Sequence, residues 1–283
     1  MQIFRDFVEE KPVPDAIFAA YLGMFSYDPI PLESKLESRD DSHDLWILEK
    51  VSFAAAYGGE RMLAYLFLPR NAEPPFQTVV YFPGTNAWQM DSYDWQGTHW
   101  FDFVMRSGRA LLYPVYKGSH ERRVDIDISK PSSRRDQVIQ WSRDLQRSLD
   151  YLETREDFDT ERVAYYGFSR GAGWAPVMAA VETRIKAIVM VGGAFAQFQW
   201  PPEVEPLNFT PRCKAPALLV NGRYDFTLPL EASQRPTLRL LGASEEDKRL
   251  VLTESGHIPT RHVVIKETLD WLDRYLGPVK RSR

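Results

Sequence analysis

The pentapeptide Gly167-Phe168-Ser169-Arg170-Gly171 constrains this chain more than any other feature. It stands between a short apolar run, Arg162 to Gly167, and a segment long enough for a helix. A Gly-x-Ser-x-Gly string in that setting predicts a strand that turns sharply into a helix, so that side chains at the glycine positions would collide. Such a turn lifts the serine oxygen clear of the carboxyl edge of a sheet. The chain must then contain a sheet whose strands run into helices at that edge.

The rest of the sequence supplies that sheet. Thr78–Phe82, Arg109–Val115, Arg162–Gly167, Lys186–Gly193, Ala217–Gly222 and Lys248–Thr253 are short, continuous apolar runs, as expected for strands buried on both faces of a parallel sheet. Ahead of them, Leu45–Phe53 and Arg61–Pro69 flank Gly58-Gly59, a hairpin signal. Val138, Trp141, Leu145, Leu149 and Leu152 recur at helical spacing, and Ile265, Leu269, Leu272 and Leu276 repeat the pattern before the stop signal Gly277-Pro278. The pattern predicts an α/β fold: a mostly parallel twisted sheet with an N-terminal antiparallel hairpin and helices on both faces. Pro176, about two turns into the helix after Ser169, predicts a kink or an irregular first turn. Residues 1–44 carry Pro12, Pro14, Pro29 and Pro31 around one short helix near Ala16–Leu22 and read as an arm. Residues 45–283 read as a single domain, with long connections near 117–135 and 196–216 of the kind that serve as lids or binding loops.

Composition narrows the classes. Lys and Arg number 35 against 39 Asp and Glu, a net charge of -4, so no basic excess points to a nucleic-acid partner. One cysteine, Cys213, can form neither an internal disulfide nor a thiolate metal site by itself. The opening residues are acidic and Pro-broken, unlike a secretory signal. The longest apolar stretch, Ile185–Ala196, falls short of the ~20 residues of a membrane span. The expectation is a cytoplasmic protein with no membrane span.

A serine hydroxyl is a weak nucleophile and needs a base, itself oriented by a carboxylate. Behind an elbow of this kind the partners follow in the order acid, then histidine, each on a loop after a later strand. Asp225 lies three residues past the run ending at Gly222, and His257 lies four past the run ending at Thr253. Ser169, Asp225 and His257 are the expected triad. His43, His99 and His262 fall outside that order. The expected oxyanion donors are the backbone N–H of Arg170 and an N–H from the loop after Phe82, assigned to Thr85 with Asn86 as the alternative. Asn86, Trp88, His120, Trp174 and Trp200 are candidate pocket residues, with Trp95 and Phe198 as further aromatic walls. This chemistry requires neither a metal nor a cofactor. Two readings exist for the Arg170 side chain: it turns away and pairs with a carboxylate, or it enters the pocket and favours an anionic substrate.

The strings VVYFPG, YYGFSRGAG, LLVNGRYDFTLPLE, SGHIP and TLDWLDRYLGPV, with the hairpin EKVSFAAAYGGERMLAYLFLP, together resemble bacterial α/β-hydrolase domains related to dienelactone hydrolases and found behind serine/threonine protein kinases. The resemblance runs from about Trp46 to the C-terminus. It implies an α/β-hydrolase fold and a carboxylesterase-type serine hydrolase acting on a small-molecule ester, with the triad at Ser169, Asp225 and His257. The chain departs from these relatives at Arg170, where tryptophan is frequent, and from dienelactone hydrolases proper, which usually carry a cysteine nucleophile. No kinase motif is present. Peptidase, lactone hydrolase, thioesterase and acyltransferase chemistry remain within the same class. A non-catalytic sensor or docking module is the alternative from another class.

Overall fold

The computed structural model describes residues 5–93, 98–127 and 129–281. Its centre is a nine-stranded sheet in the order β1-β2-β3-β5-β4-β6-β7-β8-β9. The strands are β1 (Lys35–Asp40), β2 (Trp46–Ala54), β3 (Arg61–Pro69), β4 (Phe76–Phe82), β5 (Ala110–Pro114), β6 (Phe158–Phe168), β7 (Ile185–Val191), β8 (Ala217–Gly222) and β9 (Lys248–Thr253). β1, β2 and β3 form an antiparallel meander joined to β5, and β4 through β9 are parallel. Every apolar run of the sequence became a strand, and the central ones are buried on both faces: Phe76–Phe82 and Ala217–Gly222 are buried throughout, while Lys248–Thr253 at the edge is only partly covered. β1 was not expected. Its six residues are all exposed, so it carries no hydrophobic alternation, and its charged side chains suit an edge strand.

Among the described residues seven helices cover the sheet: α1 (Asp15–Gly23), α2 (Asp102–Arg106), α3 (Pro131–Glu153), α4 (Arg170–Val181), α5 (Pro206–Phe209), α6 (Arg235–Leu240) and α7 (Arg261–Leu276). α4 is one element that includes Pro176. Successive strand residues divide the core into two layers, since side chains alternate across a strand. Val80, Phe82, Leu112 and Tyr165 face α1, α3, α4 and α5. Val79, Tyr81, Leu111 and Tyr166 face α2 and α7. The chain leaves β4 for β5 on one side and then returns to place β6 on the other. The crevice beyond the carboxyl ends of strands at such a reversal is where open α/β sheets bind ligands.

Candidate active site

Ser169 sits at this reversal, between β6 and α4, with φ +50° and ψ -107°. A non-glycine residue at positive φ is uncommon and is held only where the surroundings dictate it. Here the Ser169 N–H donates to Val191 O (2.8 Å) and the Gly171 N–H to Pro83 O (3.1 Å). The Tyr165 hydroxyl donates to Gly171 O (2.7 Å). A Cβ on Gly171 would lie 2.2 Å from Phe82 O, so only glycine lets α4 approach β4 this closely. Gly84 is similarly constrained, since a Cβ there would lie 3.0 Å from the Phe168 ring and 3.5 Å from Ser169 Cβ.

The three expected triad residues meet. Ser169 Oγ lies 2.8 Å from His257 Nε2, and His257 Nδ1 lies 2.7 Å from Asp225 Oδ2. The loops that carry acid and base are tied together, Arg223 N–H donating to Thr253 O (2.8 Å) and Tyr224 N–H to Ser255 O (3.0 Å). Asp225 is 3% exposed. Its Oδ1 accepts the N–H of Thr227 (2.8 Å) and of Leu228 (3.0 Å). Burial by itself would raise the Asp225 pKa, but the hydrogen bond from His257 and those two backbone donors outweigh it and hold the carboxyl below its ordinary value. A charged acid facing Nδ1 favours the tautomer that leaves Nε2 free to accept a proton from serine. The lone thiol, Cys213, is fully buried, its pKa pushed up to about 12 by burial, and the carboxylate nearest His257 in sequence, Glu254, is held by Arg223 and Tyr224 at the surface. Among the described residues no cluster of His, Cys, Asp or Glu could hold a metal ion, and no helix is long and apolar enough to cross a membrane.

Two chambers open on either side of the serine. Thr85, Ser169 and His257 line both. The first, of 290 Å³, takes in Asn86 and His120 and is walled by Tyr81, Tyr113, Trp100 and Phe168. The second, of 330 Å³, is walled by Trp174, Trp200, Phe195, Leu228 and Arg170. The connection at 117–135 thus contributes to one chamber and that at 196–216 to the other. Trp88 lines neither chamber; its ring packs on Phe82 and Trp141 and lies under the Arg170 guanidinium at 4.7 Å. Phe198 is 47% exposed and covered by Arg134, and Trp95 lies outside the described residues. Sequence reasoning missed Tyr81, Tyr113, Trp100 and Phe168. For Tyr81 and Tyr113 the signal was a tyrosine near the carboxyl end of two separate runs, TVVYF and RALLYP; Trp100 and Phe168 carried no such signal.

The Arg170 side chain makes no ion pair among the described residues. Its Nε donates to Thr85 Oγ1 at 3.3 Å, and the guanidinium stacks on Trp88 and lies 5.9 Å from the Trp141 ring centre. Burial lowers its pKa, with no carboxylate to oppose the shift. The carboxylate pairing entertained for this residue is therefore absent.

A serine elbow at the carboxyl edge of a mostly parallel sheet, with helices on both faces, defines an α/β-hydrolase. Residues 101–246 match the Dienelactone hydrolase family, more than half of the chain, and the protein belongs to that family. Among solved structures it is similar to an acetyl xylan esterase from a Paenibacillus species, with TM-score 0.72 and 17% identity over 95% of this chain and 98% of that one. An acetyl xylan esterase from a Thermoanaerobacterium species gives TM-score 0.72 and 15% identity, covering 94% and 96%. A glucuronoyl esterase from Solibacter usitatus gives 0.62 and 14%, covering 90% and 91%. No curated protein matches the sequence.

Proposed function

We propose that this protein is a serine hydrolase that cleaves carboxylic esters through an acyl-enzyme. The observation that carries the reading is the unbroken chain Ser169 Oγ, His257 Nε2, His257 Nδ1, Asp225 Oδ2, with links of 2.8 Å and 2.7 Å, at a strained elbow between two chambers. As Ser169 Oγ bonds to the ester carbon, its proton passes to His257 Nε2 and the carbonyl electrons move onto oxygen. The Arg170 and Thr85 N–H groups are the proposed donors to that oxyanion, each worth about 3 kcal/mol of barrier. Collapse expels the alcohol, which takes the proton from His257, and water then repeats the sequence in reverse to release the acid. Asp225 stays ionised and stabilises the imidazolium. One chamber receives the acyl half and the other the alcohol half.

The family and the esterase names of the similar structures support ester substrates over peptides or thioesters. The intact chain of contacts also favours catalysis over a sensor module, since a docking domain needs none of them. Ser169→Ala is the test. Turnover of p-nitrophenyl acetate and labelling by a fluorophosphonate probe should both vanish while circular dichroism is unchanged. Activity within tenfold of the parent would refute the nucleophile assignment.

A further inference from the structure

Tyr81 and Tyr113 line the first chamber and are backed by further tyrosines that do not reach it. Tyr166 on β6 is the register partner of Tyr81 on β4, and Tyr65 on β3 is the partner of Tyr113 on β5. Tyr81 and Tyr113 meet edge to face at 4.9 Å, and Tyr81 and Tyr166 lie near-parallel at 5.7 Å. A ladder of tyrosines therefore crosses from the strand of the nucleophile to the hairpin. Phe101 packs on Tyr81 at 5.0 Å and Trp100 on Phe168 at 4.3 Å, closing the chamber with further rings. Flat aromatic walls favour a flat aromatic guest. A cavity of about 150 Å³ accommodates one benzene ring, so 290 Å³ leaves room for a ring with a short arm.

The wall beside β5 is polar. Tyr113 and His120 are each 4% exposed, and the Tyr113 hydroxyl lies 2.8 Å from His120 Nε2. A phenol oxygen both donates and accepts. In either tautomer of His120 the Tyr113 hydroxyl keeps one of those functions for a further partner. His120 is held in place at a cost: its φ is +44°, a conformation that persists only when the surroundings over-determine it. The bonds that fix it surround it in the chain. Ser119 N–H donates to Tyr116 O, and Arg122 Nη1 donates to Val115 O (2.8 Å) and to the buried Asp144 (2.7 Å). Glu121 accepts from the Tyr65 hydroxyl and from Lys50.

β5 stands two strands from β6, which is roughly 10 Å across the sheet. A ring attached directly to the ester carbon falls short of that span. A ring on a two- or three-atom arm reaches it.

We propose that the first chamber binds a hydroxyaryl group carried on a short arm from the ester, with Tyr113 and His120 as the residues that recognise the ring hydroxyl. This names the substrate class for the ester hydrolysis proposed above and rests on that reading. Two matched pairs test it: methyl 3-(4-hydroxyphenyl)propanoate against methyl 3-phenylpropanoate, and 2-(4-hydroxyphenyl)ethyl acetate against 2-phenylethyl acetate. The first pair puts the ring in the acyl half and the second in the alcohol half. We expect kcat/KM to favour the hydroxylated member of one pair by tenfold or more, and the preference to fall to about one in Tyr113→Phe and in His120→Phe. His120→Gln, which keeps a donor and an acceptor, should restore part of it. Equal rates within both pairs in the parent overturn the proposal, as does a preference that survives both variants. Binding of 4-ethylphenol against ethylbenzene, followed by tryptophan fluorescence in the parent, separates this from the underlying reaction. Tenfold tighter binding of the phenol with no ester turned over and Ser169 unlabelled would uphold the chamber and sink the hydrolase reading. Turnover of p-nitrophenyl acetate with no phenol preference in any arm would do the reverse.

Discussion

Asp225→Asn is the substitution for which the structure dictates the outcome most narrowly. Asparagine has the shape of aspartate, and its amide can in principle place either oxygen or nitrogen toward His257. The environment removes that choice. The position of Oδ1 is surrounded by two donors, Thr227 N–H at 2.8 Å and Leu228 N–H at 3.0 Å. The amide oxygen must take that position, because an NH2 there would face two N–H groups and leave them unpaired in a buried site. The NH2 is then directed at His257 Nδ1, which has to accept, and the ring proton moves to Nε2, facing Ser169. A base that already carries a proton on the working nitrogen cannot take the one from serine. The loss should reach about 10⁴ in kcat, as for other triads trapped in the wrong tautomer, or about 5.4 kcal/mol of barrier. Stopped assays with p-nitrophenyl acetate measure the rate, and nitrogen NMR of histidine-labelled protein reads the tautomer. Activity within tenfold of the parent would refute the reasoning. So would an inactive variant in which Nδ1 still carries the proton.

Arg170→Met keeps length and removes the charge that stacks on Trp88 without a carboxylate partner; kcat/KM for a p-nitrophenyl hemisuccinate should fall tenfold or more, with the butyrate nearly unchanged, and equal losses on both would make the side chain a packing element. Asp144→Asn removes the nearer and fully buried of the two carboxylates on Arg122 and leaves Glu60 at 3.6 Å, so urea unfolding should show up to about 3–5 kcal/mol less stability, whereas a loss below 1 kcal/mol would mean that Glu60, Tyr57 and the Val115 carbonyl suffice for Arg122. Burial raises Tyr81, Tyr113, Tyr116 and Tyr165 well above the ordinary tyrosine value. The unfolded chain thus loses those protons near pH 10 while the folded one retains them. Stability on this account is full below pH ~10 and declines as pH rises further, and tyrosinate absorbance of these groups should appear together with unfolding rather than before it.

Much of this fold was legible because its strands are buried on two sides. A run such as Ala217–Gly222 cannot be placed at a surface, and six of six residues are buried. The meeting of Ser169, Asp225 and His257 was legible for a different reason: each follows one of three particular strands and comes to the same sheet edge. β1 was hidden because its residues, Lys35 to Asp40, bury nothing and pair only through their backbone with β2. The chambers were hidden because no local pattern describes a cavity assembled from β4, β5, β6 and two loops. Trp88 shows the limit well. Its position three residues after Thr85 placed it near the serine, yet its ring turned into the core and left the chamber wall to Trp100 and Tyr113.

The arm at the beginning of the chain ends up at the second chamber. Arg5 donates its N–H to Gln197 Oε1 (2.7 Å) and its guanidinium to Glu205 (3.1 Å), whose carboxyl burial raises despite that contact. Phe7 packs on Phe195 at 4.7 Å. These partners are separated by 188 to 200 residues. On the ribosome, at about 5–20 residues per second, the arm waits on the order of ten to forty seconds before the segment it docks against exists. Through that interval Phe7 lacks Phe195, and Phe18 and Phe25 lack Phe209. The arm thus cannot dock until Phe195, Gln197 and Glu205 have been made, and this wall of the second chamber closes only after them.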